Sequence, residues 1–462
     1  MKRTLTLLFL CAASAQASAQ AAAPAGFRPN EVAIWAAPVE NDSVFDAWRA
    51  DTPVNPASTM KLLTSWAALN RLGPNYRWKT EFKSDAPLEN GVLRGDLYWV
   101  GRGDPRLDSP RLAEMLRQLR LRGVQRIEGS LLLDKRAYSN IGSADGFAGD
   151  ADRVFTVPPD THLLNLKVAW LRYGFDGGKP AVQLDPPLPQ FALDNQLQAS
   201  SAAGCGDVRQ HVKVTVAERT IRVSGKLPQG CDGAANYVNV LDINSFASQS
   251  FRALWRGLGG EGPSAVGVAA APVGARTLLQ QESDPLTDVL ADVNKHSNNT
   301  MARSVLLALG VQQPQSGNTL DDAIAQVRSL LQSKGLAADT LVLENGAGLS
   351  RRERISARLL GEVLRDAARG PYGPELAATL PLAGEDGTLR KRLGSFAGSL
   401  RMKTGTLDDT RALAGYWQAP TGQRLVIVAV VNSPRASELT PALDAAVGDV
   451  IRRYQASLLL AP

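Results

Sequence analysis

The stretch that most constrains this chain is residues 55–73, in which Ser58 stands at the start of an apolar helical pattern and Lys61 follows one turn later. Leu62, Leu63, Trp66 and Leu69 recur at helical spacing, Pro56 lies just ahead of them, and Gly73-Pro74 supplies the stop. The two polar residues therefore share a face, with the serine at the positive end of the helix dipole and the lysine within reach of its hydroxyl. Taken alone, the pair reads more readily as a capping serine and a solvated charge, because Ser-x-x-Lys arises by chance about once or twice in a chain of this length. The rest of the sequence has to decide.

Both ends of the chain read as parts of one unit. Residues 31–37 and 43–48 have the pattern of two strands around the Glu40-Asn41-Asp42 turn, and they lead directly into the Ser58 helix. Near the other end, 400–405, 412–418 and 424–432 read as strands, the last two joined at Pro420-Thr421-Gly422. A helix over about 437–454 places Leu443, Val447, Val450, Ile451 and Tyr454 on one side. The expectation is an α/β (α+β) unit made of residues 24–78 and 278–462, in which strands from both termini form an antiparallel sheet flanked by helices.

Between these parts, 79–277 is mostly strand-like and rich in turns, as in Val212-Val214-Val216 and Asp185-Pro186-Pro187. It reads as a mostly β insertion of one or two subdomains. One helix stands out there, with Ser109 as its expected cap, Pro110 at its first position and Gly123 at its end. Helices return at Asp284-Pro285. They break at the polar run Asn294-Lys295-His296-Ser297-Asn298-Asn299 and resume near Thr300.

Met1-Lys2-Arg3, a short apolar run and then Ala17-Ser18-Ala19 have the form of a cleavable export signal over residues 1–23, with cleavage near Ala19 or Ala23. No later stretch reaches the roughly 20 apolar residues of a membrane span. The 44% hydrophobic and 21% charged content disfavours both disorder and a membrane bundle. Without Lys2 and Arg3 the net charge falls from +6 to +4, with 49 bases against 45 acids. No basic cluster is interleaved with aromatics, so nucleic acid is not a suggested partner, and membrane association is at most peripheral. Removal of Cys11 with the signal leaves Cys205 and Cys231, which either pair in an oxidising compartment or stay as two thiols.

Three segments carry the chemistry: Ser58-Thr59-Met60-Lys61, Ser297-Asn298-Asn299, and Lys403-Thr404-Gly405-Thr406. A serine hydroxyl is a weak nucleophile until a base takes its proton, and a desolvated lysine near a second cation has a depressed pKa suited to that task. Lys61 is the candidate base and Lys403 the second cation. Ser297 is placed to relay a proton to the leaving amine, and Asn299 to offer its amide to a substrate backbone. Thr404 and Thr406, flanking Gly405, suit a terminal carboxylate, and the N–H groups of Ser58 and Thr406 are the candidate oxyanion hole. A histidine triad is poorly supported, since the chain holds His162, His211 and His296 only. No grouping has metal-ligand spacing and no phosphate loop precedes a helix, so neither metal nor cofactor is implied.

The three motifs in this order are the signature of penicillin-binding proteins and class A β-lactamases. As a whole the chain resembles the D-alanyl-D-alanine carboxypeptidase/endopeptidase family, the class C low-molecular-mass penicillin-binding proteins. Gly103-Asp104-Pro105, Asn345-Gly346-Ala347-Gly348-Leu349-Ser350-Arg351, the stretch from Leu380 to Leu389, and Ala414-Gly415-Tyr416 extend the likeness along almost the whole mature chain. The long insertion is also a trait of that family. Two departures stand out. The usual Ser-Asp-Asn reads Ser-Asn-Asn here, and the usual Asp-Gly-Ser-Gly-Leu-Ser-Arg has Asn345 and Ala347 in place of its carboxylate and hydroxyl.

The resemblance implies a penicillin-binding-protein/β-lactamase-like transpeptidase core and an exported, periplasmic serine hydrolase. Its substrates would be peptidoglycan stem peptides ending in D-Ala-D-Ala, with β-lactams as covalent inhibitors at Ser58. It further implies that Arg351 lines the substrate side-chain pocket and that Asp150 faces the site, although a surface ion pair and a turn residue are the equal alternatives for these two. The rival functions are a β-lactamase or esterase on the same fold, and a cell-wall-binding protein that has lost activity.

Overall fold

The computed structural model describes residues 23–147 and 153–460. The expected signal segment through residue 22, and Asp150, lie outside the described residues.

Strands from both ends of the chain form a single five-stranded antiparallel sheet in the order Leu400–Leu407, Thr410–Gln418, Arg424–Asn432, Val32–Pro38, Asp46–Trp48. The Arg424–Asn432 and Val32–Pro38 strands are continuous apolar runs because both faces are covered. Alternation divides them. Trp35, Val426, Val428 and Val430 face one core, while Ile34, Leu425, Ile427 and Val431 face the other. The first core holds the Met60–Leu72, Leu286–Lys295, Asn299–Gln312, Thr319–Ser333 and Ala357–Arg369 helices. The second is closed by the Thr440–Leu460 helix, which contributes Leu443, Val447, Val450, Ile451 and Tyr454.

A separate hydrophobic cluster lies within residues 82–279, centred on Phe82, Trp99, Phe246, Phe251 and Trp255. At its root, Lys79–Ser84 pairs antiparallel with Arg276–Glu282, so the chain enters and leaves this region on adjacent strands. Beyond them lie Leu97–Val100, Leu131–Asp134 and Val266–Val268 in the same sheet, and further out three small sheets. Two helices pack on this core, Ser109–Leu121 and Ile243–Gly257. The sequence pattern singled out only the first. Its cap is Asp108 and not Ser109: the Asp108 carboxylate accepts from the N–H of Arg111 at 2.9 Å, while the Ser109 hydroxyl is taken up by Asn165 at 2.7 Å. Cys205 and Cys231 are joined by a disulfide.

Element ends shifted where tertiary contacts intervened. The strand expected over 43–48 is reduced to Asp46–Trp48 at the sheet edge, and the last helix runs six residues past Tyr454 to Leu460. The Ser58 helix proper begins at Met60. Ser58 sits before it in a single 3-10 turn, Ala57–Thr59.

Candidate active site

Four pieces of chain converge around Ser58. Asn55 ties the first piece in place: its N–H donates to Asn432 Oδ1 at 2.7 Å at the end of a central strand, and its Nδ2 donates to Ser350 O at 3.0 Å. Ala57 then takes a positive φ of 45° although it carries a side chain, a strained geometry of the kind that surrounding contacts must hold in place. Ser297, in the break between two helices, has the same feature with φ of 57°. Asn298 supplies the cap that restarts the helix, its Oδ1 accepting from Met301 N–H at 3.0 Å. An aspartate would accept that bond equally well, which explains why the Ser-Asn-Asn variant keeps the local fold.

Lys61 has no exposed surface. Its Nζ lies 2.9 Å from Ser58 Oγ and 2.6 Å from Asn299 Oδ1, and it also donates to Ala347 O. Burial, and after it the charge of Lys403, pushes the Lys61 ammonium well below its ordinary pKa, against an opposing pull from Glu353. Lys403 is equally buried, and its pKa is pushed down to about 7 by desolvation. Its Nζ donates to Ser297 Oγ at 2.9 Å and to Thr404 O at 2.7 Å. Thr404 in turn donates to Thr388 Oγ1 at 2.8 Å.

Two glycines permit the close approach. A Cβ on Gly405 would come 2.7 Å from Pro56 O, and one on Gly348 would come 1.8 Å from Ala57 O. The Leu400–Leu407 strand and the 345–350 loop are thus pressed against the Ser58 turn in a way that side chains would block. Leu400–Leu407 is also the edge strand of the sheet; Leu400 O and Met402 N on its outer side bond to Ala383 N and Pro381 O, and no other strand pairs with that side beyond them among the described residues.

Above these groups lies a cavity of about 280 Å³ lined by Ser58, Asn299, Gly348, Arg351 and Thr406, with Phe147 and Phe155 on its wall. Of the sequence-derived residues, Ser58, Asn299 and Thr406 line this cavity; Lys61 joins Ser58 to Asn299 beneath it, and Lys403, bonded to Ser297 and Thr404 O, is near enough for its charge to act on Lys61. Arg351 faces the cavity while pairing with Asp408 at 2.7 Å and covering the Phe147 ring at 4.7 Å. It forms the ion pair that was one of the two expectations for it, and it also lines the cavity.

Glu353 was not legible from sequence. It stands in the run Arg351-Arg352-Glu353-Arg354, which has the look of a solvated charge cluster, yet it has no exposed surface. Its carboxylate accepts from the N–H groups of Glu344, Asn345, Gly346 and Gly348 at 2.9–3.0 Å. Those bonds shape the loop that presents Ala347 O to Lys61. Asn345, standing where the resembled family has an aspartate, is buried and closes the same loop by donating to Leu349 O at 2.8 Å. Phe155 was also missed as a site residue; its carbonyl accepts from Asn299 Nδ2 at 3.0 Å.

A helix-flanked antiparallel sheet with a serine and two buried lysines at its edge defines a class, the penicillin-binding serine peptidases. The family follows from the sequence. Residues 14–450 match the D-Ala-D-Ala carboxypeptidase 3 (S13) family; the chain belongs to it and is a serine-type D-Ala-D-Ala carboxypeptidase. A D-alanyl-D-alanine carboxypeptidase of Actinomadura sp. (strain R39) is 28% identical over 424 residues, covering 86% of this chain and 77% of the relative. The D-alanyl-D-alanine carboxypeptidase DacB of Haemophilus influenzae is 26% identical over 412 residues, covering 87% and 85%. The crystal structure of penicillin binding protein 4 from H. influenzae superposes with a TM-score of 0.70 at 25% identity, over 87% of this chain and 90% of that one.

Proposed function

We propose that this chain is an exported hydrolase that cleaves D-Ala-D-Ala and related D,D bonds of peptidoglycan stem peptides through an acyl-enzyme on Ser58. The observation that carries this reading is the set of Lys61 partners. A neutral amine has two hydrogens and one lone pair; the hydrogens go to Asn299 Oδ1 and Ala347 O, which leaves the lone pair for the Ser58 O–H. Lys61 takes that proton as Ser58 Oγ bonds to the carbonyl carbon. Collapse of the tetrahedral intermediate expels the D-alanine amine, which receives a proton from Ser297 Oγ; Ser297 acts as a relay, its proton replaced by the one Lys61 took from Ser58, so that Lys61 is again a neutral base when water attacks the acyl group. Water then releases the acyl group.

The N–H groups of Ser58 and Thr406 stabilise the oxyanion, and Thr404, Thr406 and Lys403 receive the substrate carboxylate. Arg351 contacts the stem side chain. The outer edge of the Leu400–Leu407 strand beyond Met402, at Thr404 and Thr406, suits an extended peptide added as a further strand. On this reading residues 24–78 and 278–462 form the acyl-transfer unit, 79–277 the insertion, and 1–23 a signal that is removed on export. β-Lactams acylate Ser58 and deacylate slowly.

Purified protein should release D-alanine from a stem pentapeptide, and intact-protein mass spectrometry after benzylpenicillin should show one adduct. Ser58→Ala should lose both, with turnover reduced on the order of 10⁴-fold or more. An adduct that persists in Ser58→Ala would refute the assignment. Fragment analysis of cross-linked muropeptides separates terminal D-alanine release from cross-link cleavage.

A further inference from the structure

We propose that the chain carries a second binding site, a saccharide cleft behind the Ser58 cavity, in which Trp170 and Tyr237 stack on the amino-sugar rings of a peptidoglycan glycan strand. The choice of polymer rests on the function proposed above; the cleft itself does not. The strand Ala169–Asp176 alternates, with Ala169, Leu171 and Tyr173 in the core and Trp170 and Arg172 facing out. Register places Trp170 directly opposite Tyr237 on Ala235–Val238, their rings 5.9 Å apart and nearly perpendicular. They remain 37% and 43% exposed, a large aromatic surface left in water.

These rings border a cleft of about 330 Å³ that also contains Asn165, Leu166, Arg111 and Met301. Asn165, Leu166 and Lys167 are three successive non-glycine residues with positive φ, at 48°, 53° and 63°. Strain of that kind is retained where a local shape serves binding. The charges nearby are already matched. Arg106 and Arg111 meet Asp284 at 2.8 and 2.5 Å, and Arg172 meets Asp185 at 2.8 Å. Arg106 also meets Asp292 at 3.2 Å and Asp108 lines the same cleft, so the cleft offers ring faces and polar edges with its arginines already paired, which suits a neutral hydroxyl-rich ring and not a phosphate or a nucleic acid.

Its position is the second argument. Val154 lines this cleft and the next residue, Phe155, lines the Ser58 cavity; Met301 and Asn299 divide in the same way. Hydrogen bonds from Asn299 to Phe155 O and from Thr300 to Val157 O, at 3.0 and 2.7 Å, hold the wall together. A stem of four residues spans about 13 Å when extended. On the proposal, that length carries the sugar end of a stem seated at Ser58 over the shared wall to the aromatic pair.

The test uses full-length Ser58→Ala protein, in which binding is separated from turnover, titrated calorimetrically with the N-acetylglucosamine tetramer. Saturable binding is expected, weakened at least tenfold by Trp170→Ala combined with Tyr237→Ala and largely retained in Trp170→Phe. With Ser58 intact, the double substitution should leave D-alanine release from a soluble pentapeptide within about twofold, which also reports folding, and should slow release from intact sacculi. Absence of saturable binding, or binding and sacculus turnover unchanged by the double substitution, overturns the cleft. Tetramer binding by a protein that releases no D-alanine supports the cleft and overturns the hydrolytic reading alone.

Discussion

Two lysines without exposed surface are an expensive feature at the residue scale, since taking an ammonium out of water costs several kcal/mol before hydrogen bonds repay part of it. For Lys403 the folded pKa of about 7 lies below that of an unfolded lysine, so between about pH 7 and 10.4 the unfolded chain binds more protons and stability rises with pH. Lys403→Met removes that dependence. Thermal melts should show Met gaining most on the unaltered protein below pH 7, with the advantage shrinking as pH climbs toward 10; an advantage that grows with pH would contradict the depressed pKa. On the proposed mechanism the cost at Lys61 serves chemistry. Lys61→Gln should slow acylation by benzylpenicillin on the order of 10³-fold, measured by stopped-flow, because a general base is removed. The identities of both lysines were legible from motif spacing. Their burial was not, and neither was Glu353, because a carboxylate inside an arginine run shows its role only once the loop it holds is folded over it.

At the scale of elements, the site depends on how a turn, a helix break, a loop and an edge strand are clamped together. Gly348 has φ of 74° and no room for a Cβ against Ala57 O, which is backbone and cannot move aside. Gly348→Ala should therefore destabilise the fold by about 1 kcal/mol or more in denaturant titration and slow β-lactam acylation as the loop withdraws from Lys61. The helix break behaves differently. Asn298→Ala loses a cap worth about 1 kcal/mol, whereas Asn298→Asp should match the unaltered protein in both melting and acylation. The capping bond accounts for the departure from Ser-Asp-Asn. Strands with long apolar runs were read closely from sequence, Arg424–Asn432 residue for residue, because burial on both faces leaves an unbroken pattern. The Ile243–Gly257 helix was overlooked, and short edge strands were read too long, because neither is set by its own sequence alone.

At the scale of the whole molecule, none of the described residues lining the Ser58 cavity belongs to the hydrophobic cluster within 82–279, although Phe147 and Phe155 reach the cavity wall from the same stretch of chain. The disulfide closes 26 positions inside that cluster's region, a loop for which chain entropy gives about 3.5 kcal/mol. Cys205→Ser with Cys231→Ser should accordingly lower the melting transition of the insertion while benzylpenicillin acylation at 25 °C is unchanged; equal loss of both would show that the two cores are coupled. The sequence by itself determined the sheet-and-helix class and the three motif segments in their order, because periodicity and motif spacing are local quantities. Only the tertiary structure decided that Ser58, Lys61 and Asn299 meet within hydrogen-bonding distance, that Lys403 pairs with Ser297, and that an aromatic cleft backs onto the same wall. Those facts depend on distances between residues hundreds of positions apart, and such distances are fixed by the packing of elements and not by any stretch of chain.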